Sequence, residues 1–172
     1  MPDRRPILAL GLALIPLAIA CGTVKHSARF DDGFLPAKGT LIEVGVVKNE
    51  TGRTYDIDIE EMLRTALWEA LWNRQLLAQG ESTTERYVLS SQIIDYDRGN
   101  AAKRWTLPGW GATEISVHCD LARADGGALV GSVDARRTVS VGGAYSIGAW
   151  KTIFKRVSKD IVEELSAKFE KQ

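Results

Sequence analysis

"ATEISVHCDLARADGGALVGSVDARRTV" runs from Ala112 to Val139, and its reading decides the fold. In its first half Thr113, Ile115, Val117, Cys119 and Leu121 alternate with Glu114, Ser116, His118 and Asp120, the two-residue period of a strand with one buried face. Asp125-Gly126-Gly127 then supplies residues that tolerate the positive φ of a tight turn, and Leu129 to Val139 returns as a second strand. The alternation puts Cys119 on the apolar face, where it serves as a small buried hydrophobe rather than a redox group.

Upstream of this hairpin, Arg86 to Tyr96 reads as a strand with Leu89 and Ile93 on one face and Val88, Ile94 and Tyr96 on the other, a pattern suited to a central position. Further upstream Leu41 to Val47 reads as a β-branched strand followed by a loop over Lys48 to Gly52. Asp58 with Glu61 three residues later resembles a capping box. Ile59, Met62, Leu63, Ala66, Leu67, Ala70 and Leu71 follow at helical spacing. Trp68 and Trp72, four residues apart, form a neighbouring stripe that is read as widening the buried face, in preference to a partner groove. Downstream, Ser146 is placed as the N-cap of a last helix whose Trp150, Ile153, Phe154, Val157, Ile161, Leu165 and Phe169 make one stripe.

The order is βαβββα, which predicts one two-layer α+β domain over residues 40–172: a four-stranded mixed sheet with both helices on one face. A right-handed crossover makes the first two strands parallel, and hairpins then run down and up. Three connections consequently share one end: the one after Val47, the loop carrying Trp105 and Trp110, and Val141 to Tyr145.

The N-terminus carries Arg4 and Arg5, then an apolar run from Ile7 to Leu17 that is too short to span a bilayer and suits a signal-peptide core. Ala18-Ile19-Ala20-Cys21 resembles the lipobox of bacterial lipoproteins, in which Cys21 becomes an acylated N-terminus; palmitate is the kind of chain expected. An ordinary Ala-x-Ala site would cut the same bond, and the position of the cysteine favours lipidation. Residues 1–20 are thus read as a signal peptide and 21–39 as lipid anchor and flexible tether entering opposite the tryptophan loop. Gly22 in place of aspartate resembles the pattern that directs lipoproteins to the outer membrane, facing the periplasm. Removing residues 1–20, with Asp3, Arg4 and Arg5, leaves 20 Lys+Arg against 21 Asp+Glu, a balance that argues against a nucleic-acid binder.

"YVLSSQIIDYDRGNAAKRW", then "GWGATEISVHCDLARADGGALVGSVDARRTVSVGG", then a last helix with "IVEEL" resemble the lipoproteins of domain-of-unknown-function family 4410. Gly99, Arg104, Gly109, Gly111, Gly126, Gly127, Gly142 and Gly143 carry the likeness. The resemblance implies an envelope location and brings no assigned activity.

Catalytic patterns fail residue by residue. Ala144-Tyr145-Ser146-Ile147-Gly148 has the shape of a nucleophile elbow, but no histidine follows His118, and Ser146 is better used as a cap. Gly143 and Gly148 have P-loop spacing, but Ala149-Trp150 stands where Lys-Ser/Thr is required. His26 and His118 belong to no zinc pattern, Asp95 and Asp97 share a strand face without further ligands, and neither cofactor nor metal is expected.

What remains is a binding surface. Arg104, Trp105, Trp110 and Tyr145 are the candidate partner contacts, shaped by Gly109, Gly111, Gly142 and Gly143. Whether Trp105 and Trp110 fold back over the sheet end or stand exposed is open at this level, with Trp110, between two glycines, the better candidate for exposure. Arg136, Arg137, Lys151 and Lys155, with Arg156, flank the last glycine loop and are the candidates for an anion. The sequence therefore points to a non-enzymatic envelope lipoprotein, held to the membrane through Cys21, that meets an envelope protein or its own copies through membrane-distal loops. A binder of an anionic polymer or glycan is the alternative, and an unrecognised hydrolase the third reading.

Overall fold

The computed structural model describes residues 24–80, 85–100, 102–103, 110–140 and 148–169. Its strands and long helices are β1 (Val24–Phe30), β2 (Leu41–Asn49), α1 (Ile59–Asn73), β3 (Arg86–Asp97), β4 (Thr113–Arg123), β5 (Leu129–Val139) and α2 (Ala149–Phe169). The fold is α+β, with both helices packed on one face of a single sheet. The hairpin of β4 and β5 pairs from Thr113↔Val139 to Ala122↔Leu129, and β2 lies parallel to β3 as the crossover requires.

The sheet has five strands in the order β1-β5-β4-β3-β2, not four. The additional strand comes from the segment expected to be a tether: Val24 to Phe30 pairs antiparallel with Arg137 to Gly131. The chain then folds under the sheet, where Phe34 is buried, stacked on Phe30 at 5.7 Å and edge-on to Tyr87 and Phe169. His26 of β1 reaches Glu164 of α2 at 2.5 Å. Residues 24–39 thus belong to the domain. Their polarity misleads because β1 is an edge strand, and of its side chains only Ala28 and Phe30 are partly buried.

This strand reverses a second expectation. Because β1 runs antiparallel to β5, Val24 lies at the end of the sheet where β2 and β3 finish and β4 begins. The chain enters at the tryptophan-loop end, not opposite it.

Two local features also depart from the sequence pattern. An irregularity between Ile93 and Asp95 inserts Ile94 as an extra residue, so Tyr96 shares the core face with Tyr87, Leu89 and Ile93 while Ile94 is exposed. The last helix starts at Ala149, and Gly148 takes the flanking position assigned to Ser146, its carbonyl accepting from the Lys151 and Thr152 amides. Ser146 itself lies outside the described residues. The other helix start keeps half of the capping box: Asp58 accepts the Glu61 amide at 2.8 Å, whereas the Glu61 carboxylate accepts from Arg64 and Thr65.

At the far end of α1, Gln75 stands at φ 57 while the Gln75 amide donates to Trp72 and the Leu76 amide to Leu71, a Schellman closure without its usual glycine. A side chain in this region costs about 1 kcal/mol. Gln75→Gly is therefore expected to raise stability by about 0.5–1 kcal/mol, read as a higher urea midpoint with unchanged slope. No helix among the described residues is long and apolar enough to cross a membrane.

Candidate interaction surfaces

The end at which β2, β3 and α2 meet is tied together by aromatics. Tyr55 donates its hydroxyl to the Tyr96 carbonyl at 2.9 Å, and Tyr96 donates to the Trp150 carbonyl at 3.0 Å. Burial pushes the Tyr96 phenol up to about 12, against the opposing pull of Arg98, so it remains a donor at neutral pH. The Arg98 guanidinium lies 4.1 Å from the Trp150 ring centre and 3.0 Å from Asp56.

Above this platform the chain forms a narrow neck. Gly99 and Gly111 have φ of 64° and 73°, and a Cβ at Gly99 would sit 2.3 Å from the Ala112 carbonyl oxygen, one at Gly111 2.7 Å from that of Asn100. The Asn100 amide donates to the Gly111 carbonyl, Thr113 to the Arg98 carbonyl and the Gly99 amide to Asp97. The neck presents Trp110, 53% exposed, with Lys103 Nζ 5.4 Å from its ring centre. Asp95, Asp97 and Glu114 line the same shallow hollow. Lys103 escaped the sequence reading because it is seven residues from Trp110; the glycine pair that closes the neck is the signal that brings them together.

Arg104, Trp105, Gly109, Gly142, Gly143, Tyr145 and Cys21 lie outside the described residues. The four candidate anion ligands do not converge. Arg136 is on the open sheet face, ion-paired with Glu114, whereas Arg137 faces the helices and takes both oxygens of Asp160 at 3.1 and 3.2 Å. Lys155 pairs with Glu69 at 2.8 Å, and Lys151 lies 4.8 Å from the Trp150 ring centre.

On the uncovered face His118 sits between Asp134 at 2.7 Å and Asp120 at 3.2 Å, and the hydrogen bond to Asp134 holds its pKa above the usual imidazole range. Cys119 is fully buried beside Ser91, and desolvation pushes its thiol up to about 12, consistent with core packing. Among the described residues no group of three or more His, Cys, Asp or Glu could hold a metal ion.

Trp68 and Trp72 depart from the expected buried role. They are 48% and 52% exposed, stacked on one another at 5.6 Å and 5° on the outer surface of α1. Leu63, Ala66, Leu67 and Leu71 already fill the buried face, which leaves the tryptophan stripe outside it.

The sequence profile of a family described as Domain of unknown function (DUF4410) matches residues 56–143. No curated protein matches the chain. Among solved structures, a PelC dodecamer from Paraburkholderia phytofirmans is similar at 17% identity and TM-score 0.56, over 82% of this chain and 94% of that one. A second PelC dodecamer structure from the same organism gives 19%, 0.53 and the same coverage. A Xanthomonas campestris protein of the family DUF330 is more distant, at 12% identity and TM-score 0.47, over 75% of this chain and 91% of that one.

Proposed function

We propose that this chain, which belongs to the DUF4410 family of domains of unknown function, is a non-enzymatic module anchored through Cys21 to a membrane of the cell envelope, where it assembles with copies of itself. The observation that carries assembly is the stacked Trp68 and Trp72 pair. Half of each indole meets water, so covering both would gain roughly 5 kcal/mol at about 100 Å² of apolar surface apiece. The outer edge of β1 adds a row of backbone groups with no strand partner among the described residues. That the PelC chain, alike in fold, forms a dodecamer supports the same reading.

The loops take a different part from the one expected of them, because β1 brings the anchored end of the chain to their side of the sheet. Among the described residues both histidines pair with carboxylates, His26 with Glu164 and His118 with Asp134 and Asp120. Arg136, Arg137, Lys151 and Lys155 are dispersed among acidic and aromatic partners, so the anionic-polymer alternative has no converging site among these described residues.

The test is a pair of masses on protein purified from membranes. The intact mass is expected to carry a lipid-sized increment that Cys21→Ser removes, and light scattering in detergent to give a multiple of one chain. Trp68→Ser with Trp72→Ser, both on an exposed surface, is expected to give single chains with an unchanged Tm. Wild-type protein that is a single chain at tens of micromolar would overturn the assembly reading.

A further inference from the structure

We infer that the end of the domain bearing Trp110 and Lys103 lies on the bilayer that holds the anchor, with Trp110 in the headgroup layer. This rests on Cys21 being the anchor and deepens that reading by fixing which surface meets lipid.

The argument is one of lengths. Only Gly22 and Thr23 separate Cys21 from Val24, so three chain steps give a reach of at most about 11 Å. Val24 is level with Arg137, two residues short of Val139, which pairs with Thr113. The sheet therefore extends roughly 7 Å beyond Val24 on the side from which the chain arrives. Trp110 lies three residues before Thr113 on that same side, and β4 is only two strand positions, roughly 10 Å, from β1. A fully stretched connector outreaches the sheet end by about 4 Å, less than the roughly 5–8 Å thickness of one headgroup layer. A lipid on Cys21 thus brings this end of the domain to the membrane surface.

The chemistry presented there suits that layer. Tryptophan prefers the boundary between hydrocarbon and water because its ring is apolar and its indole N–H needs a partner. Lys103, over the ring, can lay its stem on apolar surface and leave its ammonium among phosphates. Val24 adds an exposed aliphatic side chain at the same end. Asp95, Asp97 and Glu114 offset the nearby cations, so burial of Trp110, rather than attraction to anionic lipid, is the expected source of contact.

The experiment places a fluorophore at one position of the full, lipidated chain: Trp110→Cys or Lys103→Cys at this end, Asp125→Cys in the hairpin at the other. Cys119, fully buried, is protected from the label. The proteins are reconstituted into vesicles of phosphatidylcholine and phosphatidylethanolamine containing a nitroxide-headgroup lipid. Both near-end labels are expected to be quenched several-fold more than the label at 125. Equal or inverted quenching in protein that floats with the vesicles would overturn the orientation while leaving the anchor intact, and would assign Trp110 to a protein partner. Wild-type protein that fails to float would remove the anchor and this inference together. Agreement between the labels at 103 and 110 excludes an effect of losing the indole.

Discussion

A chain that begins at Thr40 will be mostly unfolded in water, while one that begins at Val24 will keep the stability of the whole domain. The first lacks β1 and Phe34; the second loses neither. Phe34 is buried against Phe30, Tyr87 and Phe169, and removing a ring from such a site costs about 3–5 kcal/mol. Loss of β1 also strips the partner from β5 along Gly131 to Arg137, at about 1 kcal/mol for each backbone hydrogen bond, and removes the His26 contact to Glu164. A total of at least about 6 kcal/mol is comparable with the whole stability of an ordinary domain. Urea unfolding of the two chains checks this. A chain from Thr40 that unfolds cooperatively at the full-length midpoint would show that β1 lies outside the folding unit.

That result would measure what the sequence concealed. The hairpin was legible because β4 and β5 lie inside the sheet, where one face must be apolar, so Ile115, Val117, Cys119 and Leu121 keep a strict two-residue period. The helices were legible for the same reason, through the stripes from Ile59 to Leu71 and from Ile153 to Phe169. In β1 the side chains alternate between a thinly covered rim and water, so His26 and Lys25 look alike in the sequence although they lie on opposite faces. Tyr96 was assigned to the wrong face because one inserted residue, Ile94, reverses the alternation and leaves no compositional mark.

The candidate site was legible in its glycines and not in its pairings. Gly111 marks a backbone that tolerates no side chain, and Trp110 beside it is exposed. The basic cluster dissolved because Arg136 and Arg137 are sequence neighbours and hence opposite in a strand, a consequence of the same alternation that identified the strand. Trp68 and Trp72 show the limit of helical stripes: a wide apolar arc has a flank, and only packing decides whether the flank is covered.

Arg137→Met is expected to lower stability by about 2–3 kcal/mol at pH 7, and by clearly less near pH 4. Asp160 is 7% exposed and receives both its short contacts from Arg137, whose side chain is about one-quarter exposed. Removing one member of a buried pair strands the other charge, at about 3–5 kcal/mol in a dry interior, and partial exposure of the arginine reduces that figure. The pH dependence follows from the direction of the carboxyl's shift. Burial holds Asp160 above the usual carboxylate range, and Arg137 and then His26 oppose it. An acid with a raised native pKa binds its proton more tightly folded than unfolded, so stability falls as pH rises from the ordinary carboxylate value through the raised one. Without Arg137 the pKa rises further and this window widens upward. Below it the carboxyl is neutral in wild type and variant alike, and their difference contracts toward the packing lost with the guanidinium. Arg137→Met combined with Asp160→Leu leaves no charge stranded and is expected to recover most of the loss at pH 7. Thermal unfolding at the two pH values measures all three proteins; a single-variant loss that is equal at pH 4 and pH 7 would show that the arginine acts by packing and not by charge.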